Sequence, residues 1–188
     1  AGLLVSVPGP TLAQQYQITG TNQTCTNDIA LTGGINGLVD SATATVTNNS
    51  GASITGADPA GGFGIRATQD VRLTNFGTVS ATGNQSNGVQ AAHDAIVVNS
   101  GSITADGGIA GAIGIGINAT NNAIVTNSGT ISGSSLQLGI GVVGFQNVNL
   151  TNSGTISAGS GIGGQSETIL AGVNASVTNS GTIASAGG

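Results

Sequence analysis

The single histidine, His93, stands directly before Asp94, and an imidazole beside a carboxylate is the beginning of a general-base pair. The carboxylates are Asp28, Asp40, Asp58, Asp70, Asp94, Asp106 and Glu167. Two of them acting across a glycosidic bond would be polysaccharide-cleaving chemistry. Nothing completes either arrangement, because catalysis also needs a third orienting group and a pocket. Cys25 is alone, so it forms no internal disulfide and has no companion ligands for zinc. It reads as an isolated thiol near an N-terminal cap. Gly61-Gly62-Phe63-Gly64 opens like a calcium-binding nonapeptide, but Arg66 follows where an aspartate is required. No catalytic, cofactor-binding or metal-ligating residue is assigned, and no cofactor is expected.

Composition narrows the remaining classes. Arg66 and Arg72 are the whole permanent positive charge, and the formal net charge is −5. Such a chain does not bind nucleic-acid backbones. Only 5% of residues are charged, and 34 are glycine, yet 38% are hydrophobic. Disorder pairs low hydrophobicity with high charge, so this chain is expected to fold.

The residues that could do chemistry are carried on a repeat. Asn-Ser-Gly-Thr-Ile-Ser stands intact at Asn127–Ser132 and Asn152–Ser157. Variants begin at Asn49, Asn75, Asn99 and Asn179. The six asparagines are 26, 24, 28, 25 and 27 residues apart, a drifting period that marks stacked coils with elastic loops.

Aligning the coils on that asparagine yields columns. Two residues before it stand Leu73, Val97, Val125, Leu150 and Val177, and four after it Val79, Ile103, Ile131, Ile156 and Ile183. In the first repeat Val46 and Ile54 are eight apart rather than six, so that bend holds two extra residues. Four before the asparagine comes a smaller column, Val71, Ala95, Ala123, Val148 and Ala175, while Arg72, Ile96, Ile124, Asn149 and Ser176 alternate with it. This is a strand with one buried face. The asparagine shares the buried parity, so Asn49, Asn75, Asn99, Asn127, Asn152 and Asn179 should stack as an inward ladder. Ser-Gly then makes a tight bend, with glycine free to take positive φ. A third strand opens at Gly64, Gly88, Gly116 and Gly141, and Gly37-Leu38 fits the same register. A turn follows it at Asp70, Asp94, Asn122 and Asn147, which places Asp94 and its neighbour His93 in a solvent-facing turn.

Three strands in about 26 residues predict an all-β fold, a right-handed parallel β-helix of about six coils. Strands should pair one coil away, about 4.8 Å apart. On that geometry Asp70 and Asp94 are neighbours one rung apart. Thr74, Thr126, Thr151 and Thr178 form one outward row, and Thr78, Thr130, Thr155 and Thr182 another beyond the bend.

Tandem Asn-Ser-Gly-Thr-Ile phrases preceded by Val-Thr or Leu-Thr resemble bacterial autotransporter passenger domains of the pertactin-like kind, over roughly Gly37 to Gly188. The resemblance implies export, a C-terminal β-barrel translocator in the outer membrane, and display at the cell surface. No such barrel pattern occurs in these residues, so the chain reads as an N-terminal fragment. Residues 1–13 look like the tail of a signal peptide. Residues 14–36 form a cap and degenerate first coil, and 37–188 the regular coils. The function implied is a structural stalk, not an enzyme, serving adhesion or self-association. Its partners would be host or neighbouring-cell surface molecules or further copies, and its only membrane contact the missing barrel. A polysaccharide-active β-helix enzyme and an ice-binding solenoid are the alternatives.

Overall fold

The computed structural model describes residues 3–4, 16–17, 23–32, 35–36, 43–108 and 112–187. These are strand and turn, and no helix occurs among them. The strands form three parallel sheets, and each sheet takes one strand from each coil. The result is a β-solenoid of about six turns, as the periodicity required.

Seven of the eight described strands of the first sheet end on an asparagine. Its strands include Gln23–Asn27, Ala44–Asn48, Val71–Asn75, Ala95–Asn99, Asn122–Asn127, Asn147–Asn152 and Asn174–Asn179. The second carries the isoleucine column on Ser53–Ala57, Thr78–Thr82, Ser102–Asp106, Thr130–Ser135, Thr155–Ser160 and Thr182–Ala186. The third carries the glycine column on Phe63–Ala67, Gln85–Ala91, Ile113–Ala119, Leu138–Gly144 and Gln165–Ala171.

Register follows the columns read from sequence. Leu73, Val97, Val125 and Leu150 pair in succession, as do Ile54, Val79, Ile103, Ile131 and Ile156. A slip of one residue would turn each apolar column to solvent, so burial holds the pairing. These residues, with Ile65, Val89, Ile117 and Val142, make one continuous core. Burying each such side chain contributes about 1.5–3 kcal/mol.

Two placements differ from expectation. Ile35, not Leu38, lies opposite Ile65, so the Gly37-Leu38 register was wrong by three residues. Within residues 14–36, expected to be a cap and degenerate first coil, the coil keeps the register of the later ones: Cys25 lies opposite Val46, and Leu31 opposite Ile54. Cys25 is therefore a core residue in the valine-leucine column, 7% exposed. Leu3–Leu4 pairs with Cys25 and Thr26. The rest of residues 1–13, expected to be the tail of a signal peptide, lies outside the described residues, as do Ile18, Gly37, Leu38 and Asp40.

The bend glycines also act for another reason than the one expected. Among the described residues only Gly51, Gly83, Gly108 and Gly163 have positive φ, and the phrase glycines 77, 101, 129, 154 and 181 do not. A Cβ on Gly129 would stand 2.0 Å from the Gly101 carbonyl oxygen, and one on Gly154 2.1 Å from that of Gly129. The bends stack so closely that only a residue without a side chain fits. Gly51 does take a left-handed φ of 81°, in the one bend that holds two extra residues.

Candidate functional site

The polar features that recur along the solenoid are two hydrogen-bonded ladders at opposite ends of the asparagine sheet. Strand parity turns one asparagine per coil inward. In the core its amide must find partners, because a buried amide left unpaired costs about 1–3 kcal/mol.

The first ladder supplies them. Asn27 Nδ2 donates to Asn48 Oδ1 at 2.8 Å, Asn48 to Asn75 at 2.7 Å and Asn75 to Asn99 at 2.7 Å. Asn99 continues to Asn127 at 2.8 Å, Asn127 to Asn152 at 2.7 Å and Asn152 to Asn179 at 2.7 Å. The second amide hydrogen binds backbone carbonyls across the bend, such as Thr155 O from Asn127. Each asparagine thus ties two neighbouring coils and two sheets together.

Asn49 is not in this ladder. Asn48 occupies the rung, buried at 0% exposure, while Asn49 is beyond the strand and bonds its amide to Asp28. The expectation for Asn49 failed because the two extra residues fall after the rung, between Asn48 and Ala52. The Asn-Ser-Gly phrase, which opens on the rung asparagine in later coils, opens one residue after it here and so points to the wrong asparagine. Asn27 was also missed, although Thr24-Cys25-Thr26-Asn27 echoes Thr45-Val46-Thr47-Asn48.

The second ladder stands in the turn that leads into the same sheet. Asn174 Nδ2 donates to Asn147 Oδ1 at 2.9 Å, Asn147 to Asn122 at 2.7 Å and Asn122 to Asp94 at 2.8 Å. The Asp94 amide N–H donates to Asp70 Oδ1 at 3.3 Å. Here the side-chain donors point toward earlier coils, opposite to the first ladder. Asp70 and Asp94 are indeed on successive rungs, and both carboxylates serve the turn as acceptors.

The remaining chemical groups are dispersed. His93 is exposed, and its backbone joins Gln69 and Asn121. Among the described residues its ring has no hydrogen-bond or ion-pair partner. Asp58 and Asp106 each accept a backbone N–H two residues on, holding local turns. Arg66 lies 4.6 Å over the Phe63 ring. Burial pushes the Cys25 thiol pKa up by desolvation. Among the described residues no three of His, Cys, Asp and Glu stand together as a metal site would need. An open depression of about 410 Å³ is lined by Asp106, Ser134, Ser135, Leu136 and Ser160. The Ser160 hydroxyl oxygen is buried there and has no hydrogen-bond partner among the described residues.

What the described residues share from coil to coil is a stack of inward asparagines, each hydrogen-bonded to the next. Comparisons with protein-family models, with curated proteins and with solved structures found no match to the chain.

Proposed function

We propose that the chain is a structural stalk, the solenoid portion of a bacterial autotransporter passenger that is exported and displayed at the cell surface. The observation that carries this reading is the asparagine ladder, continuous from Asn27 to Asn179. A ladder of this kind repeats one stabilising unit without interruption by a pocket, which suits a spacer that sets distance from the membrane. The phrase Asn-Ser-Gly-Thr-Ile preceded by Val-Thr or Leu-Thr supports the family, and with it a barrel translocator downstream.

In-register removal of one coil tests this. Asn127 lies opposite Asn152, so deletion of residues 127–151 joins equivalent positions. In the full-length protein the deletion should leave folding and surface labelling of intact cells unchanged. It should shorten the rod by about 4.8 Å. Loss of surface labelling from a variant that still folds would overturn the stalk reading.

A further inference from the structure

The corner where the isoleucine sheet gives way to the glycine sheet changes its loop length from coil to coil. Residues 136–137 alone join the strand ending at Ser135 to the strand beginning at Leu138. The coil before uses residues 107–112 for the same corner, and the coil after uses 161–164. A short loop between two longer ones leaves a notch, and this is the depression of about 410 Å³. Its floor is one row in register: Asp106, Ser134, Gly159 and Ala186. Three rung steps make that floor about 14 Å long.

Packing does not require the floor to be this low. Gly159 has no left-handed φ, and a Cβ there would meet only Ser134 Cβ, at an ordinary 3.8 Å. The phrase glycines differ, since a carbonyl oxygen excludes a side chain at each. One wall is held in place: a Cβ on Gly161 would stand 2.8 Å from Leu136 Cδ2, so Leu136 rests on the Gly161 backbone. Half of the leucine surface, 51%, is still exposed. The polar groups are chiefly acceptors. Asp106 Oδ1 receives the Gly108 N–H at 3.0 Å, and Oδ2 has no hydrogen-bond partner among the described residues. Ser134 Oγ donates to Ala105 O at 3.3 Å and keeps its lone pairs. The unpaired Ser160 hydroxyl is enclosed at the edge of the same floor.

We propose that this notch binds a short neutral oligosaccharide, with Asp106 and Ser134 taking its hydroxyl protons and Leu136 covering a C–H face of one ring. The volume lies within the range of ligand clefts, about 300–1,000 Å³, and a few placed polar groups beside an apolar wall are their usual lining. The other ligand classes fit less well. An anion would meet the Asp106 carboxylate and no cation, because Arg66 is on the glycine sheet and Arg72 on the asparagine sheet. An extended peptide docks on a free strand edge, and the strands of the floor are already paired in succession. An ammonium group would hold Asp106 through an exposed ion pair, which is worth little in water. A sugar brings several donors at once, and a hydrogen bond to a carboxylate is stronger than one between neutral groups. The site goes beyond the stalk reading and does not rest on it.

Titration of the isotope-labelled 188-residue chain with maltotriose, cellotriose and chitotriose, followed by backbone amide shifts, provides the test. At least one of these neutral trisaccharides should move the amides of Asp106, Ser134 and Gly159 and leave the asparagine sheet unmoved. Gly159→Leu, which raises the floor where there is room for a side chain, should weaken binding about tenfold or more. Asp106→Asn keeps an acceptor for the Gly108 N–H but loses the charge, and should weaken it in the same direction. Asn149→Leu, the same added side chain on the asparagine sheet, should leave binding unchanged. If Gly159→Leu unfolds the chain by circular dichroism, Asp106→Asn carries the test. No shift with any of the three sugars would overturn the proposal, as would shifts centred elsewhere or equal binding by wild type and both notch variants. Shifts with spermidine or with acidic trigalacturonate, and none with the neutral sugars, would overturn it too. Failure of the stalk reading would show separately, as lost surface labelling with sugar binding by the purified chain intact.

Discussion

Asn122 donates its Nδ2 hydrogen to Asp94 Oδ1 at 2.8 Å, and its backbone N–H meets the same oxygen at 3.1 Å. A carboxylate only accepts, so the second ladder begins at Asp94 and its donors all point back toward it. The aspartates of this turn column occupy its earliest rungs, where an acceptor is needed and no further donor is called for.

Asp94→Ala should therefore destabilise the chain by about 1–2 kcal/mol, because both Asn122 donors lose their acceptor. Asp94→Asn keeps an acceptor and should change stability by less than about 0.5 kcal/mol. His93→Ala, on an exposed side chain, should have no measurable effect. Urea titration followed by circular dichroism measures all three. A large loss of any hydrolytic rate in His93→Ala or Asp94→Asn would instead mark this turn as catalytic.

Asn127→Ala should cost about 1–3 kcal/mol, since Asn99 loses its acceptor and Asn152 its donor. Asn149→Ala, on the outer row of the same strand, should cost less than about 0.5 kcal/mol. The neighbours Asn48 and Asn49 should split in the same way, with Asn48→Ala the costly change. Equal effects within either pair would contradict the register.

Gly129→Ala should be strongly destabilising, by about 1–3 kcal/mol or more, as its Cβ would drive two bends apart. Gly51→Ala meets no atom within 4 Å and should cost only the left-handed backbone penalty of about 1–2 kcal/mol. Gly51→Asn, which tolerates that backbone, should be milder than Gly51→Ala. Thermal unfolding of the three variants gives the order.

Cys25 should react with thiol reagents only as fast as its coil opens, and Cys25→Val should be well tolerated beside Val46. Its raised pKa means the folded chain keeps the thiol proton to higher pH than the unfolded chain does. That contribution is fully present below the unfolded thiol value of about 8.5 and is lost as pH rises through the folded one. Stability should thus fall above about pH 8.5 in the wild type and less so in Cys25→Val. Rapid labelling under native conditions would place Cys25 outside the core.

Much of this rod was legible in the chain itself. Leu73 and Val97, or Val79 and Ile103, could be set opposite each other because alternation decides which residues face inward. A core then forbids a register shift. The inward asparagines follow from the same parity, wherever the bend has its usual length. Asn48 rather than Asn49 takes the rung, two residues after Val46 as Asn75 is two after Leu73, although the Asn-Ser-Gly phrase pointed to Asn49. Two things were decided only in three dimensions. The phrase glycines are required by the carbonyl of the bend below, a distance between coils that no single coil contains. The opposed directions of the two ladders depend on which amide faces which across a rung, and one-dimensional order carries no record of that. Local pattern determined what is buried; contact between coils determined what each buried group must be.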